Sequence, residues 1–94
     1  MAHQVRRNDD QQRYELVIDD RIVGVADFEP VDDTTIMLPH TEIDARQRGR
    51  GLGAILVRGV LDDARARGLA VVPACWFVRE YIEQHPDQED LLAG

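Results

Sequence analysis

A chain of 94 residues, 44% hydrophobic, 5% aromatic and 31% charged, has the balance of one small folded domain, residues 1–94, rather than of a disordered tail. Eleven basic residues against eighteen acidic ones give a net charge of −7, which argues against the broad basic face that nucleic acid or an anionic membrane requires. No apolar run reaches the roughly 18 residues of a membrane span, no apolar stretch follows Met1 as in a secretory signal, and one cysteine forms no internal disulfide. A cytoplasmic protein is the expectation.

Residues 4–7 read as a short edge strand closed by Asn8-Asp9-Asp10. Residues 14–18 have the β-branched and aromatic content of a strand, Asp19-Asp20 make a turn, and residues 22–28 return as the second arm of a hairpin. A further turn is expected at residues 30–33. The strand that starts at Thr34 runs on past His40 although Pro39, which lacks a ladder donor, fits only an edge or a bulge. Bulges favour functional positions, so the proline marks the neighbourhood of His40 as a candidate site.

From Gly51 the period becomes helical. Leu52, Leu56, Val57, Val60, Leu61 and Ala64 occupy one half of the wheel, Arg58, Asp62 and Arg65 the other, and Gly68 is placed to end the helix. Residues 69–72 form an apolar run suited to a strand covered on both faces. After Pro73 and Ala74, residues 76–84 read as a second helix with Phe77, Tyr81 and Ile82 inward. His85-Pro86 stops it, and residues 87–94 are expected to be a tail with a weak Leu91-Leu92 contact. A strand-helix-strand unit places its two strands side by side and parallel, with a ligand edge at their carboxyl ends. Topology thus gathers His40, the turn of residues 48–53 and Cys75, 35 positions from His40, at one edge.

All eleven basic residues are arginine, which excludes Schiff-base lysine chemistry and a Walker-type phosphate lysine. Residues 46–67 carry a balance of +4 between two acidic stretches of −7 and −4. A solvated helix face is the ordinary explanation of such charges. Arg46, Arg48 and Arg50, grouped around Gly49 and Gly51, favour an anion site instead. In Arg48-Gly49-Arg50-Gly51-Leu52-Gly53 the glycines let the backbone curl, and amides at the helix start face a site suited to a pyrophosphate. Close helix–strand packing also needs glycine, so the turn alone is a weak signal. It is neither a dinucleotide fingerprint nor a P-loop.

Cys75 stands just before a helix, where amides and the helix dipole stabilise a thiolate; a buried, inert cysteine is the alternative. For His40 the alternative is a half-exposed strand histidine bonded to backbone. Glu42, two residues on along the strand, shares the face of His40 and is a reserve base. His3 and His85 are poor ligand candidates, and with one cysteine no four-ligand zinc spacing exists. Trp76, Phe77 and Tyr81 read as core rather than as a stacking platform for adenine.

Arg48-x-x-Gly51-x-Gly53 resembles the Q/R-x-x-G-x-G/A signature by which GNAT-type N-acetyltransferases hold the pyrophosphate of acetyl-CoA. The wider pattern is similar to their small single-domain, YjdJ-type branch: His40-Thr41-Glu42 ending the strand before the turn, then Pro73-Ala74-Cys75, Phe77, Tyr81 and His85-Pro86. The likeness covers about residues 13–92. Trp76, where many relatives have proline, and Pro39 depart from it. The resemblance implies a compact α/β (α+β) fold, with antiparallel strands, a strand-helix-strand CoA-binding unit and a C-terminal helix. It also implies an acetyl-CoA-dependent transferase without a metal, acting on an unidentified small-molecule or protein amine as a monomer or weak homodimer. CoA would be held by Ile43, Arg48, Gly49, Arg50, Gly51, Leu52 and Gly53, with His40 as base and Cys75 as nucleophile or acyl relay. Two rivals remain: an acyl-CoA-binding module with little or no catalysis, and an interaction protein whose glycines only serve packing.

Overall fold

The computed structural model describes residues 3–47 and 49–93. Five strands form one sheet in sequence order: β1 (His3–Asn8), β2 (Arg13–Ile18), β3 (Arg21–Asp32), β4 (Thr35–Ile43) and β5 (Ala70–Val72). The first four pair antiparallel with their neighbours, and β5 lies parallel to β4. Helix α1 (Leu52–Ala66) makes the crossover, a short 3-10 turn (Ala45–Gln47) precedes it, and α2 (Trp76–Glu83) follows β5. A mixed sheet with both helices drawn into one core is the α/β arrangement expected from the sequence.

Helix α1 buries the six residues its periodicity marks, and it lies across β1 to β4, most closely β3. Fully burying a Leu or Val side chain contributes about 1.5–3 kcal/mol, so this face is a large share of what a small domain gains. Gly68 ends the helix at φ +70°; its N–H reaches the Arg65 carbonyl, and the Leu69 N–H reaches that of Ala64 at 2.8 Å. These are the two bonds of a Schellman stop.

Four expectations change. The strand expected over residues 22–28 continues through Pro30 to Asp32, and the turn moves to Asp33-Thr34. There the Asp32 carboxylate accepts from the Thr34 N–H at 2.8 Å and from its hydroxyl at 3.0 Å, a local closure that outcompetes a turn at the proline. The inward set of α2 is Val78, Tyr81 and Ile82; Phe77 is partly buried, and Trp76 is 67% exposed at the first helical position. The expected tail is a 3-10 segment, Pro86–Leu91, that buries Leu91. Leu92 then bridges Val71 of β5, the Ala93 N–H donates to the Val71 carbonyl, and Arg65 grips the Asp90 carboxylate at 2.7 and 2.9 Å. Strand β5 has Val71 fully buried, with Ala70 and Val72 only half-buried.

Candidate functional site

Strand β4 changes face at its middle. Asp27 opposes His40 while Glu29 opposes Met37, so β4 spends one residue more than β3 over this stretch, a bulge at Leu38 and Pro39. The extra residue inverts the alternation of side chains. Before the bulge Ile36 and Leu38 enter the core; after it His40 and Glu42 are exposed, and Thr41 and Ile43 are partly buried. The proline, lacking an N–H, sits where the ladder is interrupted.

The bulge also ends the parallel pairing. Partners run from Thr35 and Ala70 to Met37 and Val72 and go no further. Past β5 the chain turns on the Ala74 N–H bonded to the Val72 carbonyl, and the Cys75 N–H reaches the Leu38 carbonyl at 2.9 Å. The separating strands leave a cleft of about 750 Å³, lined by residues 39–43, Gln47, Gly49, residues 51–54 and residues 74–77. On the other edge of β4, the Asp44 N–H donates to the Val23 carbonyl at 2.8 Å. Antiparallel ladders alternate, so residues 42 and 40 also turn their N–H and C=O groups to β3, and those of Thr41 and Ile43 face the cleft.

The glycines serve two purposes. Gly49 (φ +83°) and Gly51 (φ +72°) hold left-handed conformations that side chains disfavour. Gly53 is a packing glycine, against which the Phe77 ring rests. Gly51 caps α1 without a side chain, and the first α1 bond runs from the Ile55 N–H to the Gly51 carbonyl. The Leu52, Gly53 and Ala54 amides therefore lack intrahelical acceptors and bear the positive end of the helix dipole toward the cleft. The Leu52 side chain itself is buried in the core. Arg50 is exposed, donates to Gln47 at 2.9 Å, and is not among the residues lining the cleft. Arg48 lies outside the described residues.

Cys75 sits at the cap position of α2 and is 8% exposed. The side chain against its sulfur is that of Thr41, Oγ1 to Sγ 3.4 Å, and not His40. Burial pushes the thiol up, but the Thr41 hydroxyl and the Val78, Phe77 and Thr41 amides outweigh it and hold the pKa below the ordinary thiol value. The helix amides act here by proximity, since they donate no cap hydrogen bond to the sulfur. His40 and Glu42 stand together, Nε2 to Oε1 3.5 Å, with side chains 55% and 63% exposed. Asp27 is the cross-strand neighbour of His40. Sequence reasoning placed His40, Cys75 and the glycine turn at one cleft but missed Thr41 as the partner of the cysteine and Phe77 as the lid of Gly53. The signal for Thr41 was Pro39, because a bulge there inverts the parity of all that follows.

A family model described as GCN5-related N-acetyl-transferase matches residues 13–91. Protein NATD1 of Mus musculus is 29% identical over 87 residues, covering 87% of this chain and 77% of that protein. The solution structure of a GCN5-like protein from Staphylococcus aureus superposes with a TM-score of 0.72 at 20% identity, covering 97% of this chain and 88% of the other. A GNAT family acetyltransferase from Elizabethkingia anophelis, solved with acetyl-CoA bound, gives a TM-score of 0.58 at 17% identity over 77% of this chain and 50% of that one. At these identities the structural likeness establishes the fold: a five-stranded mixed sheet with helices, as in GNAT proteins.

Proposed function

The chain belongs to the GCN5-related N-acetyltransferase family, and on that premise we propose that it is a single-domain enzyme that transfers an acetyl group from acetyl-CoA to an amine. The observation that carries this is the cleft between β4 and β5, where an amide-rich helix start, an unpaired strand edge and a low-pKa thiol meet. The residues present fit acetyl-CoA. The glycine turn of residues 49–53 and the amides of Leu52, Gly53 and Ala54 suit its diphosphate, and in the sequence Arg48 and Arg50 flank Gly49 as candidate cations for it. The Thr41 carbonyl and the N–H and carbonyl of Ile43, turned away from β3, offer an extended, amide-containing arm the hydrogen bonds of an added strand, while the Thr41 N–H serves the Cys75 sulfur.

Acetyl-CoA supplies the activated acyl group. In the route we favour, the Cys75 sulfur attacks the acetyl carbonyl, a new carbon–sulfur bond forms, and the CoA thiolate leaves. The amine then attacks the acetyl-Cys75 carbonyl, the sulfur departs as the leaving group, and His40, paired with Glu42, accepts the proton from the nitrogen. Because the parity of β4 keeps His40 off the sulfur, His40 serves the amine and not the activation of Cys75.

Intact-mass measurement after incubation with acetyl-CoA tests this, beside a Cys75→Ala control. The chain has no lysine, so a single acetyl adduct lost in the control supports the acyl-cysteine route. A CoA complex with no adduct points to direct transfer. A second reading, a CoA-binding module with little catalysis, draws on the openness of the acceptor side, where His40, Glu42 and Trp76 are all more than half exposed. It predicts a thermal shift with CoA and no acetyl turnover with any amine.

A further inference from the structure

Among the described residues, the bulge at Leu38 and Pro39 puts one hydroxyl, and no titratable group, against the only thiol in the chain. We propose that Thr41 is the positioning residue of Cys75: its hydroxyl, turned into the cleft by the bulge, fixes the sulfur and donates to it while the sulfur is anionic. This deepens the reading of Cys75 as nucleophile and rests on it for its functional meaning.

Three observations converge. The Thr41 Oγ1 lies 3.4 Å from the Cys75 Sγ, and among the described residues this is the side-chain hydrogen bond made by that sulfur. The Cys75 backbone is fastened to the bulge through its N–H on the Leu38 carbonyl, so strand and helix start hold the two side chains as one unit. The depressed pKa of Cys75 has the Thr41 hydroxyl as its largest lowering cause. Among the described residues, four charged or titratable side chains of the surrounding elements have partners other than the sulfur. His40 and Glu42 on β4 face each other, Arg50 donates to Gln47, and Arg79 on α2 reaches the Ala74 carbonyl at 3.5 Å.

A hydroxyl suits a thiol that must alternate between anion and acyl carrier. Donating to the anion, it lowers the cost of deprotonation, and the proton leaves to solvent. When the sulfur forms its bond to the acetyl carbon and CoA departs as thiolate, the sulfur loses its charge. The Thr41 donor is then released without leaving an unpaired ion in the cleft. An ionised partner would hold the anion more tightly and make it a poorer nucleophile.

The test is alkylation of Cys75 by iodoacetamide as a function of pH, read by intact mass, for the parent, Thr41→Val and Thr41→Ser. Valine keeps the shape and removes the hydroxyl; serine keeps the hydroxyl. The expectation for Thr41→Val is a rate near neutral pH lower by about tenfold, the value of one hydrogen bond to a charged group, with the midpoint moved upward. Thr41→Ser should stay close to the parent. An unchanged profile in Thr41→Val, or a serine variant that behaves like the valine one, overturns the inference. If the profile shifts as expected but the parent forms no acetyl adduct from acetyl-CoA, the nucleophile reading fails and the positioning role of Thr41 stands.

Discussion

The Phe77 ring occupies the space that a side chain on Gly53 would need: an ideal Cβ at that glycine would lie 2.8 Å from the Phe77 Cζ and 3.0 Å from its Cε2. The second turn position of α1 is thereby locked to the start of α2, two residues from Cys75. For Gly53→Ala, helix propensity gains about 1 kcal/mol, while overpacking against the ring costs about 1–3 kcal/mol. The net change in stability is expected to be small, with a clear loss of CoA affinity as the ring is displaced into the cleft. Thermal melts with and without CoA measure both terms. Adding Phe77→Leu should restore part of the affinity, a coupling that a double-mutant cycle would read.

Gly51→Ala places a side chain at φ +72° with open space around it, so its cost is conformational. A loss of about 1–2 kcal/mol in stability is expected, together with a weaker CoA-induced thermal shift because the amides of the helix start are re-aimed. Parent-like melting and binding would show that this turn tolerates a relaxed backbone.

His40→Gln keeps the size of the side chain and removes its basicity. The acetyl adduct on Cys75 should form at nearly the parental rate, while its transfer to an added amine falls by about a hundredfold or more. Single-turnover mass measurements separate the two steps. Equal slowing of both would assign His40 to the sulfur instead.

Tyr14 donates its hydroxyl to Asp63 on α1 at 2.7 Å, with Arg7 also on that oxygen, and its side chain is fully buried. Burial, then the hydrogen bond and charge of Asp63, push its pKa from 10.0 up to about 12. A raised folded value means that the contribution is fully present below the unfolded pKa and is lost as pH rises through the folded one. Denaturant midpoints should therefore fall between pH 10 and about 12, and Tyr14→Phe should flatten that fall at a cost of about 1–2 kcal/mol near neutrality.

Glu15 behaves oppositely. It is 1% exposed on the sheet face away from α1, and its carboxylate accepts from Arg6 at 2.8 Å, Arg13 at 2.9 Å and Asn8 at 3.1 Å. Burial pushes its pKa up, but the three donors outweigh it and hold it below the usual carboxylate value. The contribution is present above the unfolded pKa and lost as pH falls through the folded one. Glu15→Gln should cost about 1–3 kcal/mol at neutral pH, with a smaller difference from the parent in acid.

Local patterns were legible where one rule dominated. The apolar face of α1 follows from period alone, and Gly68 from its place after the last buried position. Two places escaped, one to a local side-chain closure and one to contacts distant in sequence. Pro30 reads as a turn residue, yet it lies in β3 because Asp32 and Thr34 close the chain two residues later. The segment after Pro86 is too polar to announce itself as structured, and it is fixed by Leu91 in the core and by Arg65, 25 positions away from Asp90 in sequence. At the cleft, chemistry-bearing residue types were visible, but their pairing was not. Which of His40 and Thr41 meets Cys75 depends on one additional residue in β4, and Pro39 marks that bulge without saying which side chains it turns inward.

Because the strands lie in sequence order, the meander from β1 to β4 is assembled from neighbour-to-neighbour pairings, and only the addition of β5 spans an intervening helix. That last closure is also what creates the cleft, so folding of the second wall and assembly of the binding site are one event. The second wall is the thinnest part of the sheet, three residues braced by a single bridge from Leu92. Opening it exposes β4 without unravelling the hairpins beneath. Amides of β5 and the C-terminal segment should exchange with solvent ahead of those in β2 and β3, and a ligand spanning both walls would slow that exchange first, acting as the clasp of a half-open hinge.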